Sequence, residues 1–502
     1  MRIAYWSPLP PQESGIADYS AELIPALARH AEIDLIVGPG WRPSPAMLAG
    51  WAGWAGLATH PESAFAGLAA AGRFDAVVYQ LGNNRDYHAR LYHALLEHPG
   101  VVVLHEYVLH HLVRDLTFYA GDPEAYVREM RYAYGLSGEA LARRFVATGV
   151  PLDPWSYPLF ERVVDRSLAI LVHNDFTRRR VLQSRPLARI AVVPHHLSLL
   201  SPLSPLSLLS LLGPLSQGDA PPPSAAAAAA PARAALGLPP DAFVVASFGF
   251  VTAAKRPGTL LRAFARLRRR VPRAVLLLVG EVSPHFDLAV VAAPELMPGV
   301  TVTGRLELDR FLLHMAAADV AVNLRHPTAG ETSGTLIRLL GMGKPVVVSR
   351  TGAFAEIPES CCAHVDLDET EEDLLVAYLE RLEADEDLRR RMGENARRYA
   401  AAHHSLEASA RGYADLLRQV VEDRAVPFRA VPPLLPYAAD DVAADLLRSV
   451  SADLHDLGVG EADDDLLGKV AEALVELTPL AVPGATVGGT IAPGTAEAEA
   501  KR

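Results

Sequence analysis

The chain has 502 residues, half of them apolar, which is too long for a single core and predicts two domains plus extensions. Its net charge of −12 is concentrated at one end: residues 431–502 carry 13 acidic and 4 basic side chains (−9), leaving −3 for residues 1–430 and no overall basic footprint for nucleic acid. The two cysteines, Cys361 and Cys362, are adjacent and cannot build a disulfide framework, the start "MRIAYWSPLP" reads as a strand and turn rather than a secretory signal, and a cytoplasmic protein is expected.

In chain order, "RIAYWS", "EIDLIVG", "DAVVYQ", "GVVVLHE" and "LAILVHN" read as buried strands, separated by helical stretches such as "DYSAELIPALARH" and "RLYHALLEH". The scheme recurs in "DAFVVASFGF", "AVLLLVGE", "VTVTG", "VAVNLR" and "KPVVVS", again with helices between. Two rounds of strand–helix alternation predict an α/β protein with two Rossmann-like domains, each on a parallel sheet. The expected division is an N-terminal domain over 1–196, a Leu/Ser/Pro/Ala-rich linker or insertion over 197–237, a second domain over 238–404, helices over 405–430 that cross back, and an acidic, largely disordered tail over 431–502. Prolines break "LSLLSPLSPLSLLSLLGPL" too often for a membrane span, which leaves room only for a peripheral membrane contact.

Candidate site residues cluster after strands, where open α/β sheets bind ligands. "SPLPPQESGIADYSAELI" places Gly15 and Asp18 at a helix start, either as an anion-binding loop or as a plain cap in which Ser14 or Asp18 serves the helix. His105 and Glu106 directly follow 101–104, with His105 pointing into that crevice or tied to backbone. Lys255 and Arg256 precede a helix and suit a diphosphate, or form a solvated pair. Glu331 lies just before a helix start, where the N–H groups of Ser333, Gly334 and Thr335 suit phosphate. Its carboxylate suits two sugar hydroxyls, or simply complements the helix end. The adjacent pairs His110-His111, His195-His196 and His403-His404, the run Asp366-Leu367-Asp368 and Asp463-Asp464-Asp465 do not read as metal sites.

At these residues, over roughly 1–425, the chain resembles the retaining GT-B glycosyltransferases of family 4. "PLPPQESGIADYS" resembles the family's glycine loop, "VVVLHE" the strand whose terminal His abuts the donor sugar, and "FGFVTAAKR" its Gly-Arg-x-x-x-x-Lys phosphate motif. "AGETSGTLIRLLGMGKPVVVSRTGAFAE" resembles its donor-binding E-x7-E motif, with Glu356 as a distal acid. Three positions depart from the pattern. Phe250 stands where the family has an Arg, with Arg256 nearby to compensate; the loop of Glu331 is one residue shorter; and Arg338 stands where a second acid holds the ribose. The resemblance implies two domains facing a central cleft and metal-independent, retaining transfer of a hexosyl unit from a nucleoside diphosphate sugar to an acceptor hydroxyl. No cofactor is expected. His105, Lys255 and Glu331 would be catalytic. Gly15, Arg256, Ser333, Gly334, Thr335, Arg338 and Glu356 would bind the donor. Asp18, Asn83 and Asn84 would shape the acceptor side. The acceptor is a glycan, a lipid-linked saccharide or a small metabolite. Two other readings share the scaffold: a catalytically silent sugar-nucleotide-binding protein and a sugar-nucleotide epimerase.

Overall fold

A computed structural model describes residues 1–43, 54, 56–197, 225–428, 450, 463 and 466–470. Among these residues thirteen strands form two sheets in which every pairing is parallel. The first sheet comprises β1 (Arg2–Trp6), β2 (Glu32–Val37), β3 (Ala58–Pro61), β4 (Ala76–Leu81), β5 (Val101–Leu104), β6 (Ala169–Val172) and β7 (Ile190–Val192), in the order β3-β2-β1-β4-β5-β6-β7. The second comprises β8 (Phe243–Phe248), β9 (Ala274–Val279), β10 (Val300–Val302), β11 (Val320–Asn323), β12 (Val346–Ser349) and β13 (Ala363–Val365), in the order β10-β9-β8-β11-β12-β13. Central strands such as β4, β5, β11 and β12 are buried along their whole length. Helices on both faces exclude water from a parallel sheet, so their sequences read as unbroken apolar runs rather than alternating ones.

Strand order reverses between β1 and β4 in the first sheet and between β8 and β11 in the second. At each reversal the connections leave in opposite directions and open a crevice at the carboxyl ends. The loops after β1, β4, β5, β8 and β11 therefore carry the candidate residues for a topological reason. Met1–Gly121 and the chain from Asp153 through the Leu406–Glu422 helix form one compact unit that holds both sheets. That last helix leaves the second core and buries Ala410, Tyr413, Leu417 and Val420 in the first, against Tyr19, Leu23 and Leu27. Asp122–Leu152 falls in a second unit. Its helix, Pro123–Thr148, starts at an Asp122 cap, breaks at Tyr134 and Gly135, and ends at Gly149.

The segment 197–237, expected to be irregular, contains a helix over Ala225–Leu236. Alanine is the strongest helix former, and the run outweighs Pro231 within it. The small Ala232 side chain packs against Leu313, Ala316 and Ala317, and Arg233 donates to the Ala317 carbonyl and pairs with Asp319 at 2.6 Å. Residues 198–224 and nearly all of the tail 431–502 lie outside the described residues.

Lys344, in the Gly-Lys-Pro turn before β12, is buried, and its Nζ donates to the carbonyls of Ala316 and Ala318 at 2.7 and 3.0 Å. Burial lowers its pKa to about 8. It closes the end of the Leu308–Ala317 helix and takes no part in the crevice. Lys344→Met would leave both carbonyls without their donor and lower unfolding free energy by ~1–3 kcal/mol, measured by urea denaturation.

Candidate functional site

The loop after β11 is the centre of the site. Glu331 Oε2 accepts from Thr328 Oγ1 at 3.0 Å and from the Ala329 N–H at 2.8 Å. Its Oε1 lies 2.9 Å from Nε of Arg325, an ion pair without a well-aligned hydrogen bond. Arg325 is itself stacked over Phe354 at 5.7 Å. Ser333 caps the helix Gly334–Gly341, its Oγ accepting from the Leu336 N–H at 3.2 Å, so the helix starts three residues beyond Glu331 and its first N–H groups lie close to it in the chain.

The loop after β8 meets this one. His326 N–H donates to the Ala254 carbonyl at 2.8 Å, and Lys255 Nζ donates to the Phe248 carbonyl at 2.6 Å. Gly249 has a φ of +84°, and a Cβ there would fall 2.6 Å from Lys255 Nζ; only glycine lets the ammonium reach this place. Burial, then the charge of Arg325, push the Lys255 pKa well below its ordinary value, while Glu331 opposes them. Lys255, Arg325 and Glu331 therefore act on one another's charge within the same crevice. Arg256 does not join them: its guanidinium is engaged by both oxygens of Glu371. Phe250 is 50 % exposed. The second cation beside Lys255 is Arg325, immediately after β11, a position whose strand-end placement was visible in the sequence.

The first lobe supplies the opposite wall. His105 Nε2 donates to Gln80 Oε1 at 2.7 Å, and its ring lies 5.0 Å from those of Tyr19 and His173. Burial, then neighbouring histidines led by His173, hold it well below the usual histidine pKa, so it is neutral. Glu106 accepts from the Asn83 N–H at 2.9 Å; burial and the charge of Glu331 raise its pKa to about 7. Asp18 is exposed in the first turn of Gly15–Leu27, yet its pKa is raised to about 6, chiefly by desolvation. Water reaches Asp18, His105, Glu106 and Lys255 while protein surrounds them, which is the signature of a narrow cleft.

The remaining expected residues are placed as follows. Gly15 is the first residue of its helix, with open space where a Cβ would stand, and Ser14 caps that helix. Asn83 Oδ1 accepts from the Leu112 N–H and Asn84 caps Arg85–Glu97, so both side chains are engaged within the first lobe. A Cβ at Gly334 would lie 3.3 Å from His195 Nε2, and Thr335 Oγ1 lies on the Gly249 side. Arg338 donates across the cleft to Glu22 Oε1 at 2.8 Å, while His196 Nε2 donates to Glu22 Oε2 at 3.1 Å. Burial alone would raise the Glu22 carboxyl; Arg338 and His196 overcome it and hold it below the usual range. Glu356 also reaches across, accepting from the Asp175 N–H at 3.1 Å and from Arg179 at 3.2 Å, where it caps the Asp175–Ser184 helix. Arg338 and Glu356 thus tie the lobes together. Asp366 pairs with Arg350 and Asp368 caps Thr370. Among the described residues, no group of three or more His, Cys, Asp or Glu side chains is arranged to hold a metal ion, and no helix is long and apolar enough to cross a membrane.

His88, His110 and His173 have pKa values lowered to about 4, and His105 and His195 lie well below the ordinary value, in every case chiefly through burial. Such groups stay neutral in the fold but take up protons when the chain unfolds, so stability is lost as pH falls below about 6.5. Asp18 and Glu106, with raised pKa values, act in the opposite sense, but five outweigh two. Thermal unfolding followed against pH should show stability falling from pH ~6.5 to ~4, by roughly 1.4 kcal/mol per pH unit for each uncompensated proton.

Residues 230–399 match the family model described as Glycosyl transferases group 1. Over 140 residues the chain is 35 % identical to a D-inositol 3-phosphate glycosyltransferase of Saccharomonospora viridis, a match that spans 25 % of this chain and 31 % of that relative. Sucrose-phosphate synthase from Thermosynechococcus elongatus superposes with a TM-score of 0.57 at 18 % identity, covering 84 % of this chain and 100 % of that one. Anabaena HepE, solved with UDP-glucose, gives 0.54 at 14 % identity with the same coverage of 84 % and 100 %. At these identities the structural likeness is one of fold. Residues 230–399 are thus similar to the glycosyl transferases group 1 model, and they lie within a fold of the GT-B type.

Proposed function

We propose that the protein transfers a hexosyl unit from a nucleoside diphosphate sugar to an acceptor hydroxyl, with retention of configuration. The observation that carries this reading is the convergence of Lys255, Arg325 and Glu331 at the start of the Gly334–Gly341 helix. A departing diphosphate needs positive charge as the bond to the anomeric carbon breaks. Lys255 Nζ, Arg325 and the N–H groups of Ser333–Thr335 supply it in this reading, without a metal ion. Glu331, already oriented by Thr328 and Ala329, accepts from two hydroxyls of the hexose and sets its position. Neutral His105, with Nε2 committed to Gln80, presents Nδ1 as an acceptor to the sugar near the reacting carbon. The acceptor enters along the Asp18 side and is a glycan, a lipid-linked saccharide or a small metabolite, met by a protein working in the cytoplasm.

A second reading, a sugar-nucleotide-binding protein without turnover, draws on exposed Phe250 and on Arg338, whose side chain is tied to Glu22. A thermal-shift screen over UDP-, GDP-, ADP- and dTDP-sugars identifies the donor, since a ligand bound only by the fold raises its stability. Radiolabelled donor then separates the readings: transfer or slow hydrolysis to free diphosphate supports the enzyme, and binding with no release under any condition supports the silent partner. Lys255→Ala and Glu331→Ala should each lower kcat by roughly 100- to 1000-fold with the thermal transition of the ligand-free protein little changed.

The lowered pKa of Lys255 has a further consequence. A diphosphate beside it favours the charged ammonium and raises its proton affinity again, so donor binding takes up protons at any pH where the free lysine is partly neutral. Calorimetry in buffers of different ionisation enthalpy should record that uptake, and Lys255→Met should abolish it.

A further inference from the structure

Glu106 is the one carboxylate at the centre of the crevice that the reading above does not use. It follows β5 directly, beside His105. The Asn83 N–H holds Oε1 at 2.9 Å, and Asn83 is in turn fixed by Leu112. No hydrogen bond or ion pair among the described residues falls on Oε2, and that atom is not sealed from solvent. Facing it is the Glu331 loop, placed by the Tyr107 N–H donating to the Ala329 carbonyl at 2.9 Å; the next N–H bond of that residue goes to Glu331. The carboxylate is therefore aimed and rigid, with one lone-pair face open beside the sugar-binding acid.

We propose that Glu106 is the proton acceptor for the incoming hydroxyl. The inference rests on the transferase reading. In the step, the acceptor oxygen bonds to the anomeric carbon on the same face from which the diphosphate oxygen departs, so that the configuration is kept as the old bond breaks. The diphosphate leaves with the bonding pair, and the hydroxyl proton passes to Glu106 Oε2. The charged groups acting on Glu106 are Glu331, which raises its proton affinity, and Arg325, which lowers it, both from the loop after β11; the Asn83 N–H lowers it from the loop after β4. Burial first, and then the charge of Glu331, raise the Glu106 pKa to about 7, which makes its carboxylate a proton acceptor matched to neutral pH. A base of that strength suits a proton taken near neutral pH.

The test uses the full chain with UDP-, GDP-, ADP- and dTDP-glucose, following nucleoside diphosphate release with water as acceptor. If the wild type releases diphosphate from none of them and from no other sugar nucleotide, the transferase reading fails and the role of Glu106 falls with it. Given wild-type turnover, Glu106→Gln should lower kcat by roughly 100- to 10,000-fold while the thermal shift produced by the donor is kept. The wild-type rate should rise with pH through about 7, and the variant should lack that limb. Glu106→Ala supplied with azide, a nucleophile with no proton to lose, should recover diphosphate release and form a glycosyl azide. Loss of donor binding together with kcat, persistence of the acid limb in Glu106→Gln, or no response to azide would each overturn the proposal, the second pointing to the leaving phosphate as the proton acceptor.

Discussion

The eight residues from His326 to Ser333 bear on everything else in the molecule. Their conformation is set from the other lobe: the Gly330 carbonyl accepts from Asn174 Nδ2 and Thr177 Oγ1, both at 2.8 Å, and the Ala329 carbonyl accepts from Tyr107. Gly330 has a φ of +78°, and a Cβ there would fall 2.5 Å from Thr177 Oγ1 and 2.7 Å from the Tyr107 ring. A side chain at this position would push the lobes apart and turn Glu331 out of the crevice. The loop is thus a product of both halves of the chain, although its residues belong to one.

Charge in the crevice is balanced rather than excessive. Lys255 and Arg325 face Glu331 and Glu106, and Lys255 gives up part of its proton affinity to the enclosure. A site prepared this way holds no strong field until an anionic ligand arrives, and then gains positive charge where the ligand carries negative. Histidines extend the same principle: His105, His173, His195 and His196 surround Tyr19 with ring centroids 4.4–5.1 Å from it, and Tyr19 hydrogen-bonds Tyr413 of the returning helix at 2.8 Å. These rings offer polarity at little desolvation cost because three of the four are held uncharged.

Arg338 illustrates how a single exchanged charge is absorbed. Where the resemblance leads one to expect an acid, the cation finds its counter-charge on Glu22 of the first lobe, and His196 satisfies the other oxygen. With side chains 16 % and 8 % exposed, such a pair is costly to break because either partner alone would be a buried charge. Together with Glu356 on Asp175 and Arg179, and Arg305 on Glu13, it adds polar ties between the lobes to the apolar packing of the returning helix.

Strand identity, parallel pairing and the placement of His105, Lys255 and Glu331 after strands were legible in the chain, because a doubly covered strand must be a continuous apolar run and a parallel sheet must deliver its loops at one end. The Ala225–Leu236 helix was not, since proline and low charge resembled a linker while its docking depends on Leu313 and Ala317, about eighty residues away. Nor could sequence separate Arg256 from Arg325 as the second cation: both follow strands, and only the fold shows that Glu371 claims one while Glu331 claims the other. Glu106 was visible as a neighbour of His105, but its significance lies in facing an acid more than two hundred residues further on. The sequence by itself determined which segments are buried and which loops share an end of each sheet, because those follow from local periodicity. Which charges are spent on one another and which stay available was decided only by tertiary structure, because pairing depends on distances between lobes that no local pattern encodes.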